Sequence, residues 1–222
     1  MNFDGFDWGT SNDWYRREIN KEFNERNIYL QYFDISEGDI VVDLGSSIGP
    51  FPYLIKNKNP EHIYCVEPSQ EQLPTLSNNL QGSKYTIIPM GISDQDGVDT
   101  FEVYGNNIHQ ELTPSISFQT FIDQNNIEKI DFLKTDCEGG EYSVFNIDNL
   151  CWLKNNVKLI AGEWHLSTPE LKEKFRAFRD VFLRVFPNHK VHAVCGANVK
   201  WDLWNEHFIE YYSEILIYID NR

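Results

Sequence analysis

Short apolar runs alternate with segments of helical periodicity along most of the chain. The runs are rich in β-branched residues, which predicts strands buried on both faces of a parallel sheet. They cover residues 40–44, 64–67, 85–88, 130–134 and 158–163. Two more runs, at 190–195 and 214–220, follow the last long helical segment. This order predicts a doubly wound α/β fold with a mostly parallel sheet and a late antiparallel strand.

Between the strands, apolar residues recur at helical intervals. The first such segment, residues 14–33, is amphipathic, and it either covers an edge of the sheet or forms a lid over a bound ligand. Residues 69–80 begin with Ser69 and Gln72 in the spacing of a capping box, which predicts a helix start. Residues 98–104 alternate between apolar and polar, so we expect an inserted strand or hairpin there.

Length and composition narrow the classes of protein. We expect the 222 residues to form a single domain, with a helical cover at 1–37 and the core at 38–222. The net charge of −15 repels nucleic-acid phosphates and anionic lipid surfaces, so we expect neither as a partner. The four cysteines lack metal-site spacing and are expected to be reduced thiols. Neither a leader peptide nor a membrane span is apparent, which predicts a cytoplasmic protein.

A glycine turn after the first predicted strand indicates a nucleoside pocket. Gly45 and Gly49 bracket a tight turn in which a ligand can approach the backbone closely. Glu67 ends the next strand, about 20 residues further on, where a carboxylate accepts hydrogen bonds from ribose hydroxyls. Ser47 stands where a dinucleotide-binding turn has its middle glycine. The pattern therefore predicts a nucleoside ligand without a pyrophosphate.

Acidic residues stand at the predicted ends of four strands, and they are Asp43, Glu67, Asp136 and Glu163. Ligands of doubly wound sheets bind beyond the carboxyl ends of the strands, so we expect these side chains to converge on one crevice. His165 follows Glu163 by two residues at the same edge. An imidazole titrates near neutrality and can accept a hydroxyl proton, which makes His165 the expected general base.

The turn between these strand ends contains two more acids. We expect Glu138 on the substrate side, and we expect Glu141 to neutralise the N-terminus of the following helix. A divalent ion bound by Asp136, Glu163 and His165 could instead lower the pKa of the substrate hydroxyl. Spacing alone gives no support for such an ion, so we prefer a base without metal.

Two further patterns resemble ligand sites but have simpler explanations. His189, His192 and Cys195 are spaced three apart on a predicted strand, where such residues point to opposite faces, so we do not expect a zinc site. Trp201 and Trp204 could stack on sugar rings, although packing is the commoner role of such residues.

Five segments, in order, resemble the FkbM family of S-adenosylmethionine-dependent methyltransferases, between about residues 38 and 165. They read VVDLGSSIG, VEPS, GISDQDG, IDFLKTDCEGGEYSVF and GEWH. The family usually has alanine and asparagine where this chain has Ser46 and Ser47, but serines can also donate to the carboxylate of the cofactor. The resemblance implies a Rossmann-like class I methyltransferase fold.

The resemblance also implies S-adenosylmethionine as the cofactor and a hydroxyl of a sugar, glycan or related small molecule as the acceptor. The expected cofactor-binding residues are Asp43, Gly45, Ser46, Ser47, Gly49, Glu67, Pro68, Ile92, Ser93 and Asp136. Ile92 is expected to lie against the adenine ring. The expected catalytic residues are His165, Asp136, Glu138 and Glu163. Two other functions stay open: a nicotinamide-dependent oxidoreductase, which the glycine spacing disfavours, and a cofactor-binding protein without turnover.

Overall fold

The computed structural model describes residues 3–103, 109–193 and 203–222. Its strands are β1 Ile40–Leu44, β2 His62–Val66, β3 Tyr85–Ile88, β4 Gly91–Ile92, β5 Gly97–Val103, β6 His109–Ile116, β7 Ile130–Thr135, β8 Val157–His165, β9 His189–Ala193 and β10 Glu214–Asp220. Its α-helices are α1 Asp13–Asn20, α2 Pro50–Ile55, α3 Leu73–Asn79, α4 Phe118–Gln124, α5 Glu141–Val144, α6 Leu150–Asn156, α7 Pro169–Ala177, α8 Leu183–Val185 and α9 Glu206–Tyr211.

A seven-stranded sheet forms the centre, in the order β3-β2-β1-β7-β8-β10-β9. The pairs from β3 to β8 are parallel, whereas β10 runs antiparallel to both β8 and β9. The predicted doubly wound fold with a late antiparallel strand is thereby confirmed. The strand expected at 190–195 is β9, and its last two predicted residues lie outside the described ranges.

A smaller sheet, in the order β4-β6-β5, is inserted between β3 and β7. β5 and β6 pair antiparallel, with Gly97 opposite Ser115 and Val103 opposite His109. This confirms the strand or hairpin expected at 98–104 as far as residue 103, the last described residue of that range. Gly91 in β4 has no room for a side chain, since a Cβ there would lie 2.2 Å from the ring of Phe101. This contact brings the hairpin down onto the end of β3.

The two faces of the central sheet carry separate apolar cores. Neighbouring residues of one strand alternate between them, so Val42 packs in one core and Val41 in the other. The first core lies under α4 to α8, and the second contains α2 and the N-terminal segment. Parallel strands need both faces covered, and this chain achieves it with helices on each side.

The N-terminal helix is shorter than the helix predicted for residues 14–33. α1 continues as a π-helix, Lys21–Arg26, and the helix ends at Asn27, whose φ of 52° is left-handed. Beyond the helix end Ile28, Tyr29 and Leu30 are still buried, so apolar residues continue past the point where the helix stops. The expectation of a continuous helix was therefore wrong after Arg26.

The predicted capping box of the 69–80 segment was also wrong. α3 begins at Leu73, and its N-cap residue Gln72 makes no side-chain capping bond. The backbone N–H of Ser69 donates instead to the carboxylate of Glu67, at 2.8 Å. Within the described ranges no helix is both long and apolar enough to cross a bilayer, and Cys65, Cys137 and Cys151 are free thiols.

Candidate active site

A cavity of about 870 Å³ opens beyond the carboxyl ends of β1, β2, β7 and β8. Residues that follow or end these strands line it, and they include Gly45, Glu67, Asp136 and His165. This is the position where ligands of doubly wound sheets bind. The hairpin β5–β6 and the N-terminal helix add two further walls, through Phe101 and Tyr15 among others.

The turn after β1 forms one side of the cavity. Gly45 has φ 77°, and a Cβ at this position would lie 1.7 Å from the backbone oxygen of Asp136. Only glycine therefore lets the loops after β1 and β7 meet. Ser47 also has a positive φ, 50°, and its backbone N–H donates to Glu67 Oε2 at 2.7 Å. The Ser47 hydroxyl is hydrogen-bonded to the hydroxyl of Tyr15.

Glu67 is the buried acid at the centre of this side. Only 6% of its surface is exposed, and its two oxygens accept the backbone N–H groups of Ser47 and Ser69. Burial raises the pKa of Glu67 to about 7, although the two backbone hydrogen bonds act in the opposite direction. The carboxylate lies at the cavity wall with lone pairs left over for hydroxyl donors.

Asp43 and Gly49, both predicted to bind the cofactor, do not line the cavity. Asp43 lies inside β1 rather than at its end, is fully buried, and forms an ion pair with Lys134 Nζ at 3.0 Å. Burial would lower the pKa of Lys134, but Asp43 and Asp136 outweigh it and keep this ammonium charged. Lys134 also donates to the backbone oxygen of Gly45 at 2.7 Å, so the pair supports the turn from below.

Gly49 precedes α2 with φ 86°, where a Cβ would lie 2.8 Å from Leu76 Cδ1. Its role in the described structure is therefore the start of the helix. Ser46 lines the cavity, yet its hydroxyl donates to the backbone oxygen of Asp43 at 2.9 Å. The remaining predicted cofactor residues, Pro68, Ile92 and Ser93, all line the cavity on the side of the hairpin.

His165 lies at the end of β8 on the floor of the cavity, with carboxylates around its ring. Its Nδ1 is 3.2 Å from Glu141 Oε1, and its Nε2 is 3.3 Å from Glu138 Oε2 and 3.9 Å from Asp136 Oδ1. Burial would lower the pKa of His165, but Glu141, Glu138 and Glu163 raise it well above the ordinary range. The surrounding carboxylic acids therefore favour the protonated form of the ring.

Glu141 is more than the helix-neutralising residue that the sequence suggested. It accepts the backbone N–H of Gly139 at 2.9 Å, which fits that prediction, and it is fully buried. Its other oxygen accepts the backbone N–H of His165 at 2.6 Å and faces the ring nitrogen. Glu141 thus fixes the orientation of His165, leaving Nε2 toward the cavity.

Glu138 and Glu163 also reach the cavity floor. Burial raises the pKa of Glu138 to about 7, with His165 acting in the opposite direction. Glu138 has φ 53°, a left-handed conformation that aims its side chain at His165. Glu163 is 8% exposed, and burial raises its pKa well above the ordinary range. Asp136 accepts a hydrogen bond of 2.7 Å from the Tyr29 hydroxyl.

The structure thus brings together His165, Asp136, Glu138 and Glu163, the four predicted catalytic residues, in one cavity. Among the described residues, two groups have donor atoms within 4.8 Å of one another, as metal ligands require. One contains Asp136 and Glu138, the other Glu163 and Glu214, and His165 belongs to both. The predicted metal set of Asp136, Glu163 and His165 is therefore divided between two groups.

The N-terminal helix is both cover and wall. Tyr15, Ile19 and Phe23 pack in the second core, and the same helix presents Trp14 and Glu22 to the cavity. Burial and then the nearby Asp136 raise the pKa of Glu22 to about 8. The helix therefore packs against the sheet and also lines the cavity, and the lid alternative stays a prediction.

The cavity wall is strongly acidic. Among the described lining residues, the basic side chains are Lys134, Lys174 and His165. The carboxylic acids are Glu18, Glu22, Glu67, Asp94, Asp99, Glu102, Asp136, Glu138, Glu163 and Glu214. Such a wall favours cationic and neutral ligands over anions.

The other patterns in the sequence lie outside this site. His189 Nδ1 contacts the backbone oxygen of Phe186 at 2.5 Å, and His192 Nε2 lies 2.7 Å from the Tyr32 hydroxyl. Cys195 and Trp201, which belonged to two of these patterns, fall outside the described residues. Trp204 is exposed away from the cavity, with the Arg184 guanidinium 5.7 Å from its ring.

Sequence reasoning missed four residues of the site: Lys134, Glu141 as a partner of His165, Glu22 and Glu214. Lys134 precedes Asp136 by two residues at the end of a strand, which was a usable signal. Glu214 lies opposite His165 in the β8–β10 register, which only strand pairing reveals. Glu22 carries no signal, because its position depends on how the N-terminal helix docks.

Comparison with known proteins identifies the family that the sequence matches. The sequence matches the family model described as methyltransferase FkbM domain over residues 29–190. No protein of curated function matches the sequence. Among solved structures, one chain of a fibrillarin/Nop5p complex is similar, with TM-score 0.55 and 14% identity, over 91% of this chain and 81% of that one. A proposed rRNA methylase from Clostridium thermocellum has TM-score 0.51 and 13% identity, over 90% and 96%. These two structures share the fold.

Proposed function

The chain belongs to the FkbM methyltransferase family, and we propose that it methylates a hydroxyl group of a sugar or related small molecule. As a member of this family it is an S-adenosylmethionine-dependent methyltransferase. The proposal rests on one observation above all. A single cavity joins the buried Glu67, a ribose-type acceptor, to the cluster of His165 and Glu138.

The residues of the cavity fit S-adenosylmethionine. Glu67 would accept the ribose hydroxyls, and the turn around Ser46 and Ser47 would hold the amino-acid end of the cofactor. Ile92 and Ser93 would contact the adenine base at the hairpin side. The acidic wall complements a sulfonium cation. When bound, the cofactor supplies an electrophilic methyl group that is already activated by the positive sulfur.

The protein's part in methyl transfer is to hold the acceptor oxygen in line with the methyl carbon and to take up a proton. The Glu138 side chain is 31% exposed toward the cavity, against 8% for His165. Both ring nitrogens of His165 already face carboxylates. We therefore assign proton uptake to Glu138 and a supporting role to His165, which changes the base expected from the sequence.

The acceptor class follows from the wall of the cavity. Lining acids outnumber lining basic residues even without Glu22, Glu67, Glu138 and Glu163, whose pKa burial raises, and this excess disfavours phosphates. It argues against the RNA substrate named for one structural neighbour and against phosphorylated sugars. Trp14 lies on the cavity wall with 48% of its surface exposed, and an aromatic face of this kind suits the apolar face of a sugar ring. A neutral sugar or glycan fits both features.

Calorimetric titration with S-adenosylmethionine, S-adenosylhomocysteine and NADH tests the cofactor site first. We expect saturable binding of the first two and none of NADH, whose binding would favour an oxidoreductase. Transfer of a radiolabelled methyl group to neutral sugars, phosphorylated sugars and RNA then tests the acceptor. We expect label only in neutral sugars or glycans, lost in Glu138→Gln with cofactor affinity unchanged. Labelled RNA would refute the proposal.

A further inference from the structure

Two carboxylates at the cavity floor accept no hydrogen bond within the described ranges, although His165 lies close to both. Glu163 in β8 and Glu214 in β10 both line the cavity, and neither side chain makes a hydrogen bond or ion pair there. Glu163 is also 8% exposed. A buried carboxylic acid without a donor is unfavourable, so its placement calls for a cationic ligand.

The register of the sheet brings a nitrogen ligand to the same place. His165 is paired directly with Glu214 across β8 and β10, and Glu163 lies two residues earlier on the same face of β8. The donor atoms of the three side chains lie within 4.8 Å of one another. Ligand atoms about 2.0–2.6 Å from one ion are separated by no more than about twice that distance. The three can therefore bind a single ion without backbone movement.

The orientation of His165 supports the same conclusion independently. A metal-bound histidine usually donates its other ring N–H to a carboxylate, which fixes the tautomer and the direction of the ring. Here the fully buried Glu141 lies 3.2 Å from Nδ1, so that Nε2 faces the cavity. The second possible group is less suited, because Asp136 already accepts from Tyr29 and lies 3.8 Å from Lys134 Nζ.

We propose that Glu163, Glu214 and His165 Nε2 bind a divalent first-row transition-metal ion such as Mn²⁺ or Zn²⁺. Imidazole with two carboxylates favours these ions over Mg²⁺ and Ca²⁺, which prefer oxygen ligands alone. Three protein ligands leave positions open for the acceptor hydroxyl, whose pKa the ion lowers. This role rests on the proposed function: as the C–O bond forms and the methyl–sulfur bond breaks, the hydroxyl proton passes to Glu138.

Titration with Mn²⁺ tests the site without cofactor or acceptor. Free Mn²⁺ gives a strong electron paramagnetic resonance signal that weakens when the ion binds. We expect the loss of signal to correspond to one bound Mn²⁺ per chain. Glu214→Gln, at a half-buried position, should weaken binding at least about tenfold, and so should Glu163→Gln. Glu18→Gln removes a lining carboxylate outside the group and should bind as the wild type does. Circular dichroism spectra establish that each variant is folded.

Absence of saturable Mn²⁺ and Zn²⁺ binding would overturn the inference, and so would equal affinity in all three variants. The proposed function is tested separately by titrating S-adenosylmethionine in excess EDTA. Cofactor binding in EDTA together with failed Mn²⁺ binding would refute the ion site alone. Metal binding without cofactor binding would refute the proposed function and leave the ion site standing.

Discussion

Burial of Glu67 makes the stability of the protein depend on pH in an unusual direction. Its pKa is about 7 in the folded chain against an ordinary 4.5, so the folded state holds this proton more tightly than the unfolded state does. The contribution of Glu67 to stability is therefore most favourable below pH 4.5 and falls as the pH rises toward 7. At about 1.4 kcal/mol for each pH unit, the loss between pH 5 and pH 8 is about 2 to 3 kcal/mol.

The substitution Glu67→Gln removes this titration while keeping the shape of the side chain. Unfolding by urea at pH 5 and pH 8 gives the change in unfolding free energy for each protein. Wild type should lose about 2 to 3 kcal/mol more than Glu67→Gln over this interval. Other titrating groups, including Glu22 and Glu163, are common to both proteins and cancel in the difference.

The exposed Glu37 supplies the matched control, since Glu37→Gln should follow the wild type at both pH values. An identical pH dependence in wild type and Glu67→Gln would refute the reasoning, because it would mean that Glu67 ionises equally in the folded and unfolded states. A difference of opposite sign would show a carboxylate stabilised by the N–H groups of Ser47 and Ser69 more strongly than burial opposes it.

Three further predictions concern the site. Gly45→Ala should lower the unfolding free energy by about 4 kcal/mol or more in urea unfolding, because the new Cβ meets the Asp136 backbone oxygen; a stable variant would contradict that clash. Tyr15→Phe removes the hydrogen bond to Ser47 and should weaken S-adenosylmethionine about fivefold in calorimetry; unchanged affinity would separate the N-terminal helix from the cofactor turn. Glu141→Gln should lower the pKa of the His165 ring, followed by NMR, and destabilise the chain by about 3 kcal/mol; an unmoved pKa would remove Glu141 as its partner.

The fold was accessible from the sequence because most strands of the central sheet are short runs in which apolar residues predominate. β1, β7 and β8 are largely buried on both faces, so apolar residues predominate in them despite charged residues such as Lys134. The late strands were found in the same way. The N-terminal helix was drawn too long, because an apolar residue such as Leu30 stays buried after the left-handed Asn27 has ended the helix.

Only part of the site could be predicted from the sequence, because strand order places some of its residues and strand register places the others. Residues that follow parallel strands, such as Glu67 and Asp136, converge by topology alone, and their order in the chain predicted this. Asp43 lies inside β1 rather than at its end, so its side chain pairs with Lys134 within the sheet and does not line the cavity. Contacts such as Glu214 with His165 depend on antiparallel register, which is set by packing over the whole sheet.

Some residues of the cavity wall lie inside the range that matches the family model, and others lie outside it. The match to the family model spans residues 29–190, whereas Trp14 and Glu22 precede it and Glu214 follows it. The turn at Gly45 and the acid Glu67 lie well inside it. The flanking segments therefore contribute parts of the cavity wall that the family match does not include. Exchange of those segments between relatives would change the wall at Trp14, Glu22 and Glu214 while leaving the Gly45 turn and Glu67 in place.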